Sequence, residues 1–322
     1  MDLELLELAD TVELSPLAEA ALEGLTKRPR QMSPKWFYDE RGSQLFEQIT
    51  DLPEYYLTRT EIALYEDHAL DMVDGIGAGA VVVEFGSGSS RKTPLLLDAL
   101  DRPAVYAPID ISLSALREAC DRLMDRYPRL SLMPLQADFT GGVELPHTLD
   151  SEAGPRLGFF PGSTLGNFHP AQAQIFLQRV LKLLGPGASL LIGVDTVKDV
   201  GTLLRAYDDA AGVTAAFNLN LLSRLNNELD ADFDLLSFAH EARWNAELSR
   251  IEMHLVSTRR QEVQLCGERI PFLNGESIHT ECSYKYAPAA AQALFERAGW
   301  VLERSWLAPE DAFAVYRLRA PA

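Results

Sequence analysis

An apolar run with a single acid, VVVEF at 81–85, gives way to a glycine-rich turn and then to the amphipathic KTPLLLDAL. Strand, glycine turn and helix in that order constrain the fold strongly: they open a parallel α/β unit in which helix N-terminal amides face a ligand. The rhythm repeats downstream. VYAPID (Val105 to Asp110) precedes a helix through SALREACDRLMDRY, with Ser112 and Ser114 offered as caps. LSLMPLQAD, LGFFPGS and SLLIGVDT supply three further strands. The fold class is therefore α/β, with a mostly parallel sheet buried on both faces.

After Asp195 the alternation stops. Residues from about Lys198 to Lys285 carry helical stretches (LLRAYDDAAG, NLLSRLNNEL) and then two long β-like runs, RIEMHLVSTRRQEVQL and GERIPFLNGESIHTECSYKY. That is a meander, not a crossover. AAAQALFERAG, WVLERSW and FAVYRLRA then finish the sheet with an antiparallel pair. At 322 residues the chain exceeds one compact domain. The expected division is a ligand-binding core over 61–196 plus 286–322 and a discontinuous α+β substrate domain over 1–60 plus 197–285.

The formal charge of −18, from 29 basic against 47 acidic residues, argues against nucleic acid and anionic membranes as partners, because both need a basic surface. A small molecule is the expected substrate. Cys120, Cys266 and Cys282 form no CxxC pair, and no histidine pair has metal-binding helical spacing, so neither a disulfide framework nor a metal site is expected. The acidic start MDLELLELADTVEL is unlike a signal peptide, and no apolar run reaches membrane-spanning length. A cytoplasmic monomer is the expectation.

The turn EFGSGSSRKT, Glu84 to Thr93, has Gly86 and Gly88 but Arg91 where a dinucleotide site wants its third small residue. Its E-x-G-x-G form resembles motif I of the class I methyltransferases, Rossmann-like folds whose ligand, S-adenosylmethionine, has no pyrophosphate. Asp110 ends the second strand, where such folds place a carboxylate for the ribose hydroxyls. Asp138 and Phe139 end the third and resemble the adenine-binding pair. Lys92 suits a carboxylate of the same ligand. Singly, each has an ordinary alternative as turn, cap, solvated lysine or core residue. Together they sit at successive strand ends, the edge where open α/β sheets bind ligands.

Over nearly its whole length the chain resembles the histidine-specific Nα-methyltransferases of ergothioneine biosynthesis. The resemblance rests on KWFYDERGSQLFEQITDLPEYYLTRTE, EFGSGSSRKT, FFPGSTLGNF, the D-T-V-K-D segment and ECSYKY. It implies three methyl transfers from S-adenosylmethionine to the α-amino nitrogen of L-histidine, giving hercynine. It also implies that Asn167 and Tyr207 hold the substrate carboxylate, that Tyr56 borders the amine and carboxylate, and that Glu281 with Ser283 grips the imidazole. Tyr56 and Asn167 would be the residues nearest the chemistry, with Tyr38 approaching the amine through water and Met253 flooring the pocket. Glu281 and Ser283 are two apart, so a strand points them to one face. The competing readings are a solvated strand face carrying His279, Glu281, Ser283 and Lys285, methylation of another amino acid such as a tryptophan derivative, and a noncatalytic cofactor-binding module.

Overall fold

The computed structural model describes residues 14–88, 91–146 and 154–322. Residues 1–13, Ser89 and Ser90 of the glycine turn, and 147–153 with His147 lie outside them. The main sheet has eight strands in the order Val301–Leu307, Phe313–Arg319, Ser189–Asp195, Arg156–Phe160, Val81–Phe85, Val105–Asp110, Ser131–Leu132, with Leu135–Gln136 also on Val105–Asp110. Phe313–Arg319 runs antiparallel to both of its neighbours, and the other pairings are parallel. A mostly parallel sheet with its last strand reversed near one edge is what the resemblance to the class I methyltransferases implies.

LSLMPLQAD does not form one strand. Pro134 has no N–H to donate, and the run divides into Ser131–Leu132 and Leu135–Gln136 on the same neighbour. Met133 and Ala137 still donate to Tyr106 and Asp110 at 2.9 and 3.0 Å, so the chain reaches Asp138 in register.

Side chains along Val81–Phe85 alternate between two cores. Val81, Val83 and Phe85 pack with Phe176, Leu177, Phe295 and Trp300 beneath helices Pro170–Leu184 and Pro288–Arg297. Val82 packs with Leu64, Tyr65 and Leu97 of helices Tyr56–Val73 and Thr93–Ala99. That second cluster continues without a break into Phe217, Ile251 and Met253 of the inserted region. Tyr56–Val73 runs straight through the division expected at residue 60.

The insertion has its own four-stranded sheet, ordered Arg30–Gln31, Ser277–Tyr284, Arg250–Ser257, Phe238–Asn245. Each of the two long β-like runs breaks into two strands, and Phe238–Asn245 is an additional strand. Cys266 and Gly267, both at positive φ, turn Gln261–Leu265 back onto Glu268–Phe272 as a two-residue hairpin requires. Phe238–Asn245 lacks apolar alternation; most of its residues are only partly buried. No described helix is long and apolar enough to cross a membrane.

Candidate active site

The carboxyl ends of the central strands converge with strand Ser277–Tyr284 and the start of helix Tyr56–Val73. Gly86 has φ +71° and Gly88 φ +47°, and the Gly86 N–H donates to Ile109 O at 2.8 Å. A Cβ on Gly86 would stand 3.3 Å from the Phe139 ring, so the glycine lets turn and aromatic close together. Asp110 accepts from Gly88 N and Ser112 N at 2.9 Å each, and burial pushes its carboxyl above the usual range against those donors. Asp138 accepts from Lys35 Nζ and Thr140 N, both at 2.9 Å. Burial opposes its charge, but the hydrogen bonds from Thr140 and Lys35 outweigh burial and hold its carboxyl below the ordinary value.

These groups suit a nucleoside. Two carboxylates at neighbouring strand ends can accept from hydroxyls or an amino group, and Phe139 offers a flat apolar face. Glu84 turns the other way: its carboxylate takes Thr93 Oγ1 at 2.7 Å and Tyr106 OH at 2.5 Å, and burial lifts it to about 7. It braces the turn from behind. Lys92 is ion-paired with fully buried Glu61, which also accepts from Gly162 N at 2.8 Å. Any side chain at Gly193 would occupy the Glu61 carboxylate, so strand Ser189–Asp195 needs glycine there.

Across from the turn, the loop after Arg156–Phe160 packs against Ser277–Tyr284. Ser163, at φ +58°, accepts from Asp195 N at 2.9 Å, and Cys282 Sγ lies 3.5 Å from Asn167 O. A Cβ on Gly166 would meet Tyr284 O and Ser283 Oγ. Asn167 is thereby held beside Ser283. Tyr207 OH lies 2.8 Å from Ser283 Oγ, and Lys285 Nζ donates to both at 2.9 Å. Tyr56 OH donates to Asp195 Oδ2 at 2.7 Å and accepts from Lys198 Nζ at 2.8 Å. Burial raises the Tyr38, Tyr55, Tyr56 and Tyr207 hydroxyls, keeping all four protonated, and lowers Lys198 to about 8.

The solvated-face reading of Ser277–Tyr284 fails, because Glu281, Ser283 and Lys285 are all buried. Glu281 pairs in register with Met253, and a bulge between His279 and Glu281 shifts the strand just before it. Burial pushes the Glu281 carboxyl up to about 7 although Lys285 pulls it down. Asp195, Lys198 and Lys285 went unread as site residues, although D-T-V-K ends a strand and Lys285 continues the same-face spacing of Glu281 and Ser283.

Strand pairing also creates a cluster that sequence spacing hides. Glu252, His254 and His279 bring one ligating atom each within 4.8 Å of one another. Glu252 is already held by Arg250 at 2.6 and 2.8 Å and by Asn245 at 3.0 Å. The two imidazoles stack with centroids 5.0 Å apart and planes at 27°. Arg250 and Glu252 form an ion pair on this sheet face.

Residues 17–320 match the family model described as histidine-specific methyltransferase, SAM-dependent. The histidine N-alpha-methyltransferase of Mycolicibacterium smegmatis is 42% identical over 96% of this chain and 98% of its own. Ergothioneine biosynthesis protein 1 of Neurospora crassa is 32% identical over 86% of this chain and 32% of its own. A 4-dimethylallyltryptophan N-methyltransferase of Aspergillus fumigatus is 30% identical over 95% of this chain and 94% of its own. With the sheet order and the glycine turn already in place, a match of this extent means that the chain belongs to the histidine-specific, S-adenosylmethionine-dependent methyltransferases.

Proposed function

We propose that this chain methylates the α-amino nitrogen of L-histidine three times, giving the trimethylated amino acid used in ergothioneine biosynthesis, and that it does so as a cytoplasmic monomer. The observation that carries the reading is Glu281: a buried carboxylate on the same strand face as Ser283, without a hydrogen bond to a described residue, beside the loop that carries Asn167. Such a group is costly unless a ligand N–H meets it. An imidazole does so, giving its N–H to Glu281 with Ser283 beside the ring. Asn167 and Tyr207 then take the carboxylate, and Tyr56 lies at the amine.

S-adenosylmethionine supplies an activated methyl group when bound. Gly86, Gly88, Lys92, Asp110, Asp138 and Phe139 are proposed to hold it, with Lys92 toward its carboxylate and Glu61 keeping that lysine in place. The chain's own work is orientation, which in favourable cases is worth roughly 7–11 kcal/mol of barrier. The core over 61–196 and 286–322 would carry the donor, and 1–60 with 197–285 the amino acid.

Purified protein incubated with S-adenosylmethionine and the twenty amino acids should consume histidine first and pass through one, two and three methyl additions by mass. Preference for tryptophan or any other amino acid overturns the reading. Asn167→Ala and Tyr207→Phe should each weaken histidine binding by about tenfold or more, the worth of one hydrogen bond to a charged group, with S-adenosylhomocysteine affinity within about threefold of wild type. Equal loss of both ligands in calorimetry would reject the assignment.

A further inference from the structure

The hydroxyls of the pocket have a limited number of hydrogens, and the charged groups behind them determine where those hydrogens point. Lys285 Nζ has three N–H bonds and three partners: Asp195 Oδ2 at 2.7 Å, Tyr207 OH at 2.9 Å and Ser283 Oγ at 2.9 Å. Its side chain and that of Asp195 are fully buried. Tyr207 and Ser283 therefore both accept from Lys285, and one of their two hydrogens lies in the 2.8 Å bond between them. One hydrogen remains for a ligand.

Tyr56 is in the opposite condition. Its single hydrogen goes to Asp195 Oδ2 at 2.7 Å while Lys198 Nζ donates to its oxygen at 2.8 Å, so a ligand meets only a lone pair. Asp195 Oδ2 thus receives both Tyr56 and Lys285. Its other oxygen takes Lys198 Nζ and Thr196 N.

We infer that Asp195 and Lys285 are positioning residues that fix hydrogen-bond direction across the pocket: Tyr56 accepts an N–H of the substrate's neutral amine, and the Tyr207 and Ser283 pair donates to its carboxylate or ring. The inference rests on the proposed amino-acid site and adds a dependence on methylation state. A neutral primary amine has two N–H bonds, a monomethylated one has one, and a dimethylated one has none. Tyr56 can therefore orient the nitrogen in the first two transfers and has nothing to accept from in the third. The Tyr207 and Ser283 donor serves all three alike.

The test compares kcat/KM for histidine and for Nα,Nα-dimethylhistidine in wild type, Asp195→Asn, Tyr56→Phe and Lys285→Met. Asp195→Asn and Tyr56→Phe should lose about tenfold more on histidine than on the dimethylated substrate, the worth of one hydrogen bond. Lys285→Met should lose the same factor on both, mainly as a higher KM. Calorimetry with S-adenosylhomocysteine reports folding, and Tyr56→Phe carries the comparison if Asp195→Asn does not fold. Equal losses on both substrates in Tyr56→Phe and in a folded Asp195→Asn, or a Lys285→Met loss that favours one substrate, overturn the inference. If wild type prefers another amino acid, the functional reading fails, and the same comparison on that amino acid and its dimethyl derivative still decides the direction of these bonds.

Discussion

Replacing Glu281 with glutamine should lower kcat/KM for histidine by about a thousandfold while costing tryptophan less than about tenfold. Sites built to hydrogen-bond a polar side chain discriminate by as much as ~10⁴-fold, because a wrong ligand leaves buried groups unpaired. Here the buried group is a carboxylate whose balancing charge is Lys285, itself occupied by Asp195, Tyr207 and Ser283. Glutamine keeps the shape and one acceptor oxygen, so a large loss isolates the charge. A competition assay with both amino acids reads the ratio directly. If Glu281→Gln slows both equally, the imidazole is recognised elsewhere.

The same residue makes a pH prediction whose sign is fixed. Burial raises the Glu281 carboxyl from 4.5 to about 7. The raised value means that ionising Glu281 opposes folding: the stability it contributes is fully present below about pH 4.5 and is lost as pH rises through about 7. Binding histidine through its N–H wants the ionised form, so affinity should strengthen over the range in which stability falls. Glu281→Gln should accordingly unfold at a higher temperature than wild type at pH 8 and at about the same temperature near pH 4. It should also lack the rise in histidine affinity through pH 7. A Glu281→Gln variant less stable than wild type at pH 8 would contradict a costly buried charge.

Some of this was legible in the sequence because local rules decide it. The strand, glycine turn and helix around Gly86 follow from apolar pattern and backbone freedom, and Ser112 caps the next helix as its position suggests. Glu281 and Ser283 share a face by strand alternation alone. The hidden part is long-range. Asp195 and Lys285 are 90 residues apart and meet only because the second sheet folds over the end of the first. Glu61 and Lys92 meet across the sheet edge because a glycine opposite leaves room. Phe238–Asn245 lacked apolar alternation because both of its faces are only partly covered. Lys285 looked like a solvated lysine, since spacing reports which face a side chain takes and not what covers that face.

Gly86→Val should weaken S-adenosylhomocysteine binding by at least about a hundredfold, more than Gly88→Ala does. The Gly86 φ of +71° is a conformation that β-branched residues avoid, and holding a non-glycine residue in so sparsely populated a region costs roughly 1–3 kcal/mol. The added Cβ would also stand 3.3 and 3.5 Å from two atoms of the Phe139 ring, before either methyl is placed. The ring must move, yet it is edge-packed against Phe160 and Phe176 with centroids 5.9 and 5.8 Å away. Strain and displacement therefore fall together on the turn and on the aromatic face proposed for the adenine. At Gly88 a Cβ meets nothing within 4 Å among the described residues, and φ is +47°, so among them Gly88→Ala carries strain alone. Its N–H can still donate to Asp110, and its loss should stay within about tenfold. Calorimetry on both variants, with circular dichroism to show a retained fold, gives the comparison. A folded Gly86→Val protein that binds S-adenosylhomocysteine as wild type does would remove the glycine turn from the donor site.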